Sequence, residues 1–288
     1  MTTRISLATM IEPGNALLVP GAANALTARI IEDLGFEALY VTGAGVANTY
    51  LGAPDLGLVT LSELVGHVDA IAQAVSIPII VDADTGFGNA LGVQRTVRDL
   101  ERAGASALQL EDQVTPKRCG HFDGQTVINQ SEMVQKIAAA TDARSSRSML
   151  IIARTDAISS LGFDQALERA HAFHEAGADV VFVEGPRDLT QLRAIPLALP
   201  GVPVVANLVE GGKTPLVDRE TLGKMGYAMA LFANAALQAS VFGMQNALTL
   251  LKETGDLEAV REIVAPWSER QRLVRKHEFD AAAAKFAG

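Results

Sequence analysis

Acidic side chains directly follow several short apolar runs of this chain, and two of these runs are neighbours along it. The run PIIV leads into Asp82 and Asp84, and the run ALQL leads into Glu111. If these runs are neighbouring parallel strands, the three carboxylates meet at one edge, and side-chain alternation turns Asp82 and Asp84 to the same side. Clustered carboxylates repel one another, and a hard divalent cation relieves that repulsion. We therefore predict a Mg²⁺ site at these three acids, with Mn²⁺ as an alternative metal, in preference to an ion-pair network with Arg154 or a nearby lysine.

The only cysteine of the chain lies in the polar segment 117-KRCGH-121, which has no apolar periodicity. A structural cysteine is expected in an apolar run, because a free Cys side chain packs as a small hydrophobic group. Lys117 and Arg118 favour the thiolate form of Cys119, and a glycine-bearing polar loop indicates exposure and movement. The segment therefore predicts a reactive or proton-donating thiol, with Gly120 and His121 beside it.

Two further features could bind the carboxylates of a small acid. Arg154 follows the run MLIIA and can hold a carboxylate through two parallel hydrogen bonds. The Thr42-Gly43 turn after the run ALYV offers backbone N–H groups to a second anionic group. Together with the metal site and the thiol loop, these binders predict Mg²⁺-dependent chemistry on a small polycarboxylate, in which the metal holds a 2-hydroxy or 2-keto acid.

Eight short apolar runs alternate with helical patterns along the chain. Runs that are apolar throughout are typical of parallel strands covered on both faces. Several helical patterns end in glycine just before the next run, as in LGFEAL and AGADVV, which is typical of helix C-caps. Eight such units predict a (β/α)₈ barrel, whereas a doubly wound open sheet, the main alternative, rarely needs eight units. The predicted strands are 16–21, 38–43, 78–84, 107–112, 149–156, 180–185, 202–208 and 228–234.

Composition and charge limit the partners and the organisation. The 288 residues carry 24 basic and 33 acidic side chains, a net charge of −9, which argues against nucleic acid or an anionic membrane as the main partner. Residues 227–251 include no charged side chain, but their polar residues indicate a buried strand and a helix rather than a membrane span. One cysteine excludes an internal disulfide and fits the cytoplasm. We expect a single domain over 1–288, with 255–288 as a C-terminal helical extension.

The motifs YVTGAG, VDADTGFGN, LEDQ, KRCGH, ARTDA and VEG occur in this order. They resemble the isocitrate lyase/phosphoenolpyruvate mutase superfamily over nearly the whole barrel, and KRCGH resembles its 2-methylisocitrate lyase and 2,3-dimethylmalate lyase branch. The resemblance implies a Mg²⁺-dependent carbon–carbon lyase that cleaves a 2-hydroxy di- or tricarboxylic acid to a 2-keto acid, such as pyruvate, plus a carboxylic acid. It also implies a homotetramer, a dimer of dimers whose last helix swaps between subunits.

The resemblance further implies roles for residues of this chain. Asp82 would ligate Mg²⁺ directly, with Asp84 and Glu111 acting through water. Cys119 would protonate the carbanion left by C–C cleavage, and Tyr40 would help to deprotonate the substrate hydroxyl. The residues implied beside Cys119 in a gating loop are Lys117, Arg118, Gly120 and His121, and those implied in substrate binding are Thr42, Gly43, Ala44, Asp55, Gly120, Arg154, Glu184, Asn207, Ala233 and Asn234.

Departures from the family pattern bear on the substrate. KRCGH continues as FDGQ, without the proline of the methylisocitrate lyases, which favours the dimethylmalate-like branch. Gln125 replaces a frequent basic residue, and Ala233 and Asn234 replace a Tyr-Pro pair, which leaves room for a bulkier or more polar substituent. The alternatives are an oxaloacetate hydrolase, a carboxyphosphonoenolpyruvate phosphonomutase-like enzyme, or a non-catalytic dicarboxylate-binding protein. The complete KRCGH segment argues against the last, since binding alone does not need a proton donor.

Overall fold

The computed structural model describes residues 6–118, 120 and 124–287, so the predicted catalytic residues Cys119 and His121 lie outside the described residues. Parallel strands form the centre of the molecule, and their sequences are the uninterrupted apolar runs noted above. The strands are β1 (Leu17–Ala22), β2 (Leu39–Val41), β3 (Ile79–Asp82), β4 (Ala107–Glu111), β5 (Leu150–Thr155), β6 (Val180–Val183), β7 (Val204–Asn207) and β8 (Met229–Phe232).

These eight strands of the described residues pair in sequence order, and β8 pairs with β1 to close a barrel. At the closure Leu17 lies opposite Met229 and Pro20 lies opposite Phe232. Each strand overlaps one predicted run, and its ends differ from the prediction by two residues at most. The predicted (β/α)₈ barrel is therefore confirmed.

Helices cover the outside of the barrel and connect consecutive strands. Short 3₁₀ segments occur at Leu7–Thr9 and Glu258–Ile263, and a π-helical turn at Ala47–Leu51. The α-helices are α1 (Ala25–Asp33), α2 (Gly43–Val46), α3 (Leu61–Ala74), α4 (Ala90–Arg102), α5 (Gln130–Ala143), α6 (Ala157–Leu161), α7 (Phe163–Glu175), α8 (Leu189–Ala198), α9 (Arg219–Met225), α10 (Ala235–Thr254), α11 (Trp267–Leu273) and α12 (Lys276–Ala284).

Local sequence signals set the helix ends. Helix α3 begins with a capping box, in which the Thr60 side chain accepts from the backbone N–H of Glu63 and Glu63 accepts from the backbone N–H of Thr60. The glycines predicted to end helices before β2, β4 and β6 have left-handed φ angles of 84°, 104° and 107° at Gly35, Gly104 and Gly177. Glycine adopts this conformation without the Cβ strain of other residues, so these C-caps are confirmed.

Side-chain alternation divides the apolar core into an interior and an outer shell. Along β2, Tyr40 joins an interior cluster with Ile80 and Phe182, whereas Leu39 and Val41 pack with residues of the surrounding helices. Each large side chain removed from water stabilises the fold by about 1.5–3 kcal/mol. Because such side chains fill the interior, the barrel is a packed support rather than a channel. The apolar packing ends at the C-terminal ends of the strands, where buried polar residues begin.

Helix α10, which follows the last strand, buries none of its side chains. Val241, Met244 and Leu248 recur at helical spacing, and their exposed fractions are 43%, 55% and 61%. Phe242 beside them is 67% exposed. A contiguous apolar face of this kind is typical of an interaction surface, and the described residues of the chain leave the face of α10 exposed to solvent.

The segment after α10 lies against the outside of the barrel. Arg272 of α11 donates two hydrogen bonds, of 2.7 and 2.6 Å, to the carboxylate of Asp33 in α1. Arg275 makes a further ion pair of 3.1 Å with Glu32 of the same helix. Trp267 remains 65% exposed, whereas Val260 in the preceding 3₁₀ segment is buried, so the segment after α10 is attached by polar contacts at α11 and by apolar burial at Val260.

Across the described ranges, no helix combines the length and the apolar character needed to cross a membrane. The charge-free segment 227–251 forms β8 and most of α10, as the sequence predicts.

Gly21 tests the closure of the barrel. A Cβ atom at Gly21 would lie 2.6 Å from the carbonyl carbon of Ala233, so alanine there must displace the backbone that follows β8. We expect Gly21→Ala to lower the free energy of unfolding by about 1–3 kcal/mol, the usual cost of overpacking, in urea or thermal unfolding. Gly66, in α3, meets nothing within 4 Å and is the matched control: Gly66→Ala is expected to stabilise by about 0.5–1 kcal/mol. Equal effects at the two positions would contradict the argument.

Candidate active site

The C-terminal ends of the strands surround a small cavity. Its volume is about 30 Å³, room for only a few water molecules. Gly120 closes it, since a Cβ atom there would lie 2.8 Å from Cγ of Glu184 and would also overlap Arg154. A substrate of several carbon atoms therefore needs this backbone to move. The predicted residues that line the cavity are Tyr40, Thr42, Ala44, Asp55, Asp82, Glu111, Lys117, Arg118, Gly120, Arg154, Glu184, Asn207, Ala233 and Asn234.

Two predicted residues lie just behind the side chains that line the cavity. Two of the lining residues were not predicted. A Cβ atom on Gly43 would lie 3.1 Å from Asp82 Oδ2 and 3.3 Å from Asp84 Oδ1, so Gly43 and Asp84 adjoin the cavity through Asp82. Phe182 and Leu231 contribute apolar side chains to the lining. The inward alternation of β6 and β8 is the signal that could have found them, but it also fits ordinary core residues.

The Asp82-Ala83-Asp84 segment differs in one respect from the prediction. Strand β3 ends at Asp82, and Asp84 adopts a left-handed φ of 48°, so strand alternation is not what brings the two carboxylates together. The turn after the strand does so instead, in a conformation that Asp tolerates better than most residues. Asp82 Oδ1 accepts a 3.3 Å hydrogen bond from the backbone N–H of Asp84, which holds the pair in one compact unit.

Lys117 inserts its ammonium group among the acids. Its Nζ lies 2.7 Å from Asp55 Oδ1 and 2.7 Å from Asp84 Oδ1, and its side chain is almost wholly buried. Burial lowers the pKa of Lys117, but the facing carboxylates, led by Asp84, raise it further, so the net shift is well upward and the ammonium form persists. Burial raises the pKa of Asp84 to about 7 in spite of Lys117. Asp55 and Asp84 thus form an ion-pair network with Lys117, which is the alternative to a metal site that the sequence also allows.

Arg154 is held in place at the mouth by a second acid. Its Nε and Nη2 donate to the two carboxylate oxygens of Asp156 at 2.9 and 2.7 Å. Its Nη1 lies 3.5 Å from Glu111 Oε2 and 3.7 Å from Glu184 Oε2, and the guanidinium carbon lies 5.2 Å from the ring centre of Phe182. One edge of the guanidinium, formed by Nε and Nη2, is therefore fixed, and Nη1 is the part directed toward the other acids of the cavity.

A buried layer supports Asp156. Asp112 accepts from the backbone N–H of Asp156 at 2.9 Å, from Thr155 Oγ1 at 2.7 Å and from Arg169 Nη1 at 3.0 Å. Burial and, next, the charge of Asp156 raise the pKa of Asp112, the hydrogen bonds lower it, and the net result is a pKa of about 6. Arg169 comes from α7, far along the sequence, so the pairing of this arginine with the end of β4 could not be read from spacing.

Tyr40 points into the same region from β2. Its hydroxyl donates a 2.7 Å hydrogen bond to Oε1 of Gln109, a buried residue of β4 that the sequence argument did not single out. Burial raises the pKa of the Tyr40 hydroxyl well above its usual value, and Asp82 raises it further. Tyr40 is therefore a neutral phenol in this environment.

Acidic and amide groups form the far side of the cavity. Asn207 Nδ2 donates to Glu184 Oε2 at 3.1 Å. Asn234 follows β8, and its Oδ1 is buried with no hydrogen-bond partner in the described part of the chain. Ala233 beside it is small and apolar, so this wall combines a short apolar patch with an amide.

The acid cluster supplies few metal ligands by itself but fits a hydrated divalent ion. Among the described residues, no three His, Cys, Asp or Glu side chains are arranged to hold an ion by themselves. Mg²⁺ often takes only one or two protein carboxylates and completes its octahedron with water and substrate, so Asp82 with more distant acids fits that habit. Glu111 Oε1 is buried without a partner in the described residues. The described buried acids around the cavity are Asp55, Asp82, Asp84, Glu111, Asp156 and Glu184, against the buried cations Lys117 and Arg154, an excess of negative charge that suits a divalent cation.

Comparison with curated proteins gives close relatives over nearly the whole chain. The chain is 42% identical over 274 residues to 2,3-dimethylmalate lyase of Eubacterium barkeri, covering 95% of this chain and 94% of the relative. It is 42% identical over 271 residues to 2-methylisocitrate lyase of Aeropyrum pernix, covering 94% and 87%. The predicted superfamily and lyase class are confirmed by these relatives.

Solved structures share the fold closely. Oxaloacetate acetylhydrolase in complex with 3,3-difluorooxalacetate superposes with a TM-score of 0.92 at 33% identity, covering 98% of this chain and 96% of that one. Phosphonopyruvate hydrolase in complex with oxalate and Mg²⁺ superposes with a TM-score of 0.86 at 31% identity, covering 96% and 95%. The family model for phosphoenolpyruvate phosphomutase matches residues 7–252. This chain belongs to the phosphoenolpyruvate phosphomutase family.

Proposed function

We propose that this protein is a Mg²⁺-dependent carbon–carbon lyase that cleaves a substituted 2-hydroxy di- or tricarboxylic acid, of the 2,3-dimethylmalate or 2-methylisocitrate type, to a 2-keto acid and a carboxylic acid. The observation that carries the proposal is Arg154, fixed by Asp156 at 2.7 and 2.9 Å beside the buried acids Asp82 and Glu111. A carboxylate binder next to a metal-type acid cluster suits a hydroxy acid that is itself a chelator.

Binding of the substrate rests on groups of opposite character. Arg154 would hold one carboxylate, and the backbone around Thr42 and Gly43 would take another oxygen of the 2-hydroxy acid half. Glu184 and Asn207 would face the second half, with Ala233 and Leu231 beside its carbon substituents. Because Nε and Nη2 of Arg154 are already engaged, orientation costs little when the substrate arrives.

Asp82, with Asp84 and Glu111 behind it, would hold the metal. A bound Mg²⁺ would act as a Lewis acid toward the oxygens of the 2-hydroxy acid. Lys117 would keep the charge of Asp55 and Asp84 partly balanced and so favour binding of an anionic substrate. The excess of buried carboxylates is what makes these residues suited to a cation rather than to an anion alone.

The cleavage step balances as a retro-aldol reaction. The substrate hydroxyl gives its proton to a carboxylate of the acid cluster, its oxygen forms the carbonyl of the 2-keto acid, and the electrons of the broken C–C bond pass to the carbon beside the second carboxylate. Cys119, with an ordinary pKa of about 8.5, would give its proton to that carbon and so release a carboxylic acid. Lys117 and Arg118 would stabilise the thiolate left behind. A reducing compartment such as the cytoplasm would keep this thiol free.

Hydrolysis of oxaloacetate is the second candidate. The similarity to oxaloacetate acetylhydrolase, at a TM-score of 0.92 and 33% identity, supports it. The phosphonomutase alternative has equal support, from a phosphoenolpyruvate phosphomutase structure at a TM-score of 0.92 and 28% identity. The same Arg154 and acid cluster would serve an oxaloacetate substrate, so the products distinguish the two reactions.

We also propose that the protein acts as a homotetramer in which α10 packs on a second copy of the chain. The exposed apolar face of α10 supports this, because a cavity of about 730 Å³ separates Val241 and Met244 from Ala23 and Thr27 at the start of α1. A helix of like character from a partner would cover both walls. The expected partners are thus a small hydroxy acid and further copies of this chain, with neither nucleic acid nor membrane.

The reaction is tested by NMR product analysis. Purified protein with Mg²⁺ is incubated with 2,3-dimethylmalate, 2-methylisocitrate, isocitrate and oxaloacetate, with and without EDTA. We expect a 2-keto acid from one of the hydroxy acids, lost with EDTA and reduced by about 10²–10⁴-fold in Cys119→Ser, the usual contribution of a general acid. Oxalate and acetate from oxaloacetate would support the hydrolase instead. Release of a 2-keto acid at a rate that neither EDTA nor Cys119→Ser changes would contradict the mechanism.

The orientation of Arg154 is tested by Asp156→Asn. Loss of one charge-assisted hydrogen bond, roughly 1.5–3 kcal/mol, is expected to raise KM by about 10- to 100-fold. Asp179→Asn is the matched control, since Arg144 Nη1 donates to Asp179 at 2.6 Å and Asp179 lies at the opposite end of the barrel, just before β6. The control is expected to lower the thermal midpoint without changing KM, and a similar KM for both variants would refute the role of Asp156.

The assembly is tested by light scattering after size-exclusion chromatography. The wild type is expected at four times the 30.3 kDa mass of the chain. Phe242→Asp places a charge on the apolar face of α10 and is expected to give smaller species, because a buried unpaired charge is costly. Leu197→Asp, on α8 with an exposed fraction of 79%, is the control and is expected to leave the mass unchanged. A monomeric wild type, or an unaltered Phe242→Asp, would argue against the proposal.

A further inference from the structure

Gln109 lies directly below the acid cluster, inside the barrel, and does not line the cavity. We propose that Gln109 is a positioning residue that fixes the metal-binding carboxylate of Asp82 and, through the same amide group, orients the hydroxyl of Tyr40. The inference rests on the proposed function, since it takes Asp82 as a metal ligand.

The geometry joins the three side chains in one chain of hydrogen bonds. Gln109 Nε2 donates to Asp82 Oδ1 at 3.2 Å, and Tyr40 Oη donates to Gln109 Oε1 at 2.7 Å. Gln109 is 1% exposed, and its Cα is the register partner of Asp82 in the β3–β4 pair. Neighbouring strands thus place the amide beside the carboxylate, where water does not compete for its hydrogen bonds.

The direction of both hydrogen bonds follows from the chemistry of the end groups. A carboxylate that ligates a metal only accepts, so the NH₂ end of the Gln109 amide must face Asp82. The carbonyl end is then left for Tyr40, whose hydroxyl can either donate or accept. Reversing the amide would set two acceptors, Oε1 and Oδ1, against each other. Asp82 therefore determines how Gln109 and Tyr40 are oriented.

This direction restricts what Tyr40 can do for the substrate. Its one proton is given to Gln109, so toward the cavity Tyr40 offers only lone pairs, which can accept from a substrate hydroxyl. The amide oxygen of Gln109 is too weak a base to receive a proton that Tyr40 would pass on. Tyr40 thus aligns the hydroxyl O–H bond, and it does not form a proton relay into the barrel.

The other end of the chain bears on the metal site. Asp82 Oδ1 accepts from Gln109 Nε2 and from the backbone N–H of Asp84, while Oδ2 lies 3.4 Å from the backbone N–H of Gly43. Within the described residues Gln109 is the side chain that fixes this rotamer by a hydrogen bond. Loss of an outer-shell partner of a metal ligand typically lowers metal affinity by about 10–100-fold.

The test measures metal binding to the protein without substrate, by the electron paramagnetic resonance signal of free Mn²⁺ and by calorimetry with Mg²⁺. Gln109→Met keeps the volume but makes neither hydrogen bond, and a loss of affinity of about 10–100-fold is expected. Gln109→His can donate from one ring nitrogen and accept at the other, so affinity within a few-fold of wild type is expected. Tyr40→Phe leaves the bond to Asp82 and is expected to change affinity by no more than about two-fold.

Tyr227→Phe is the matched control for a lost buried hydrogen bond, because the Tyr227 hydroxyl donates to the carbonyl of Leu192 at 2.9 Å, away from the acids. It is expected to lower the thermal midpoint and to leave Mn²⁺ affinity unchanged. In turnover assays, Tyr40→Phe and Gln109→Met are expected to be non-additive, since both break one chain of hydrogen bonds.

The outcomes separate this inference from the proposed function. Wild-type affinity in Gln109→Met would overturn it, because packing alone would then explain the residue. Should Gln109→Met not fold, a folded Gln109→His that loses affinity by more than ten-fold would overturn it equally. A wild type that binds no Mg²⁺ or Mn²⁺ would overturn both the metal site and this inference. The expected order of affinities without lyase turnover would support the positioning role while rejecting the proposed reaction.

Discussion

The organisation of the barrel mouth depends on one electrostatic constraint, an excess of buried carboxylates over buried cations. Six acids and two cations of the described residues share a space with little water. Burial alone would force several of these acids to take up protons, as the raised pKa of Glu111 and the pKa of about 7 for Asp84 indicate. The arrangement remains stable because each cation serves more than one acid and because a divalent ion can complete the balance.

Arg154 is itself held by successive layers of hydrogen bonds. Asp156 fixes Arg154, Asp112 fixes the backbone of Asp156, and Arg169 from α7 closes that layer. Such a nested arrangement keeps the long, flexible side chain of Arg154 in one orientation. The hydrogen bonds that Asp112 accepts from Thr155, Asp156 and Arg169 add rigidity to this layer, because buried polar groups with their partners in place hold one arrangement.

Much of this could be predicted from the sequence, because strands in this fold are apolar runs and their ends carry the chemistry. Asp82, Glu111 and Arg154 were found in that way, and the helix-ending glycines with them. Gln109 escaped notice because an isolated glutamine in an apolar run reveals no partner until the strand register is known. The approach of Arg169 to Asp112 likewise depends on packing of a distant helix. The turn at Asp84 was misread as strand, since periodicity does not reveal a left-handed residue. The roles of Cys119 and His121 stay predictions.

The seam between β1 and β8 has a consequence for how the molecule is made. Gly21 meets Ala233 there without room for a Cβ atom, and the two residues are separated by most of the chain. Contacts of such long sequence separation form late, because loop-closure entropy must be overcome before they stabilise anything. During synthesis, the acids of β3 and β4 therefore emerge well before the wall at Ala233 and Asn234 exists. A nascent chain truncated before β8 would hold the acids and Arg154 but no enclosed cavity, so binding competence arises only with the final strand.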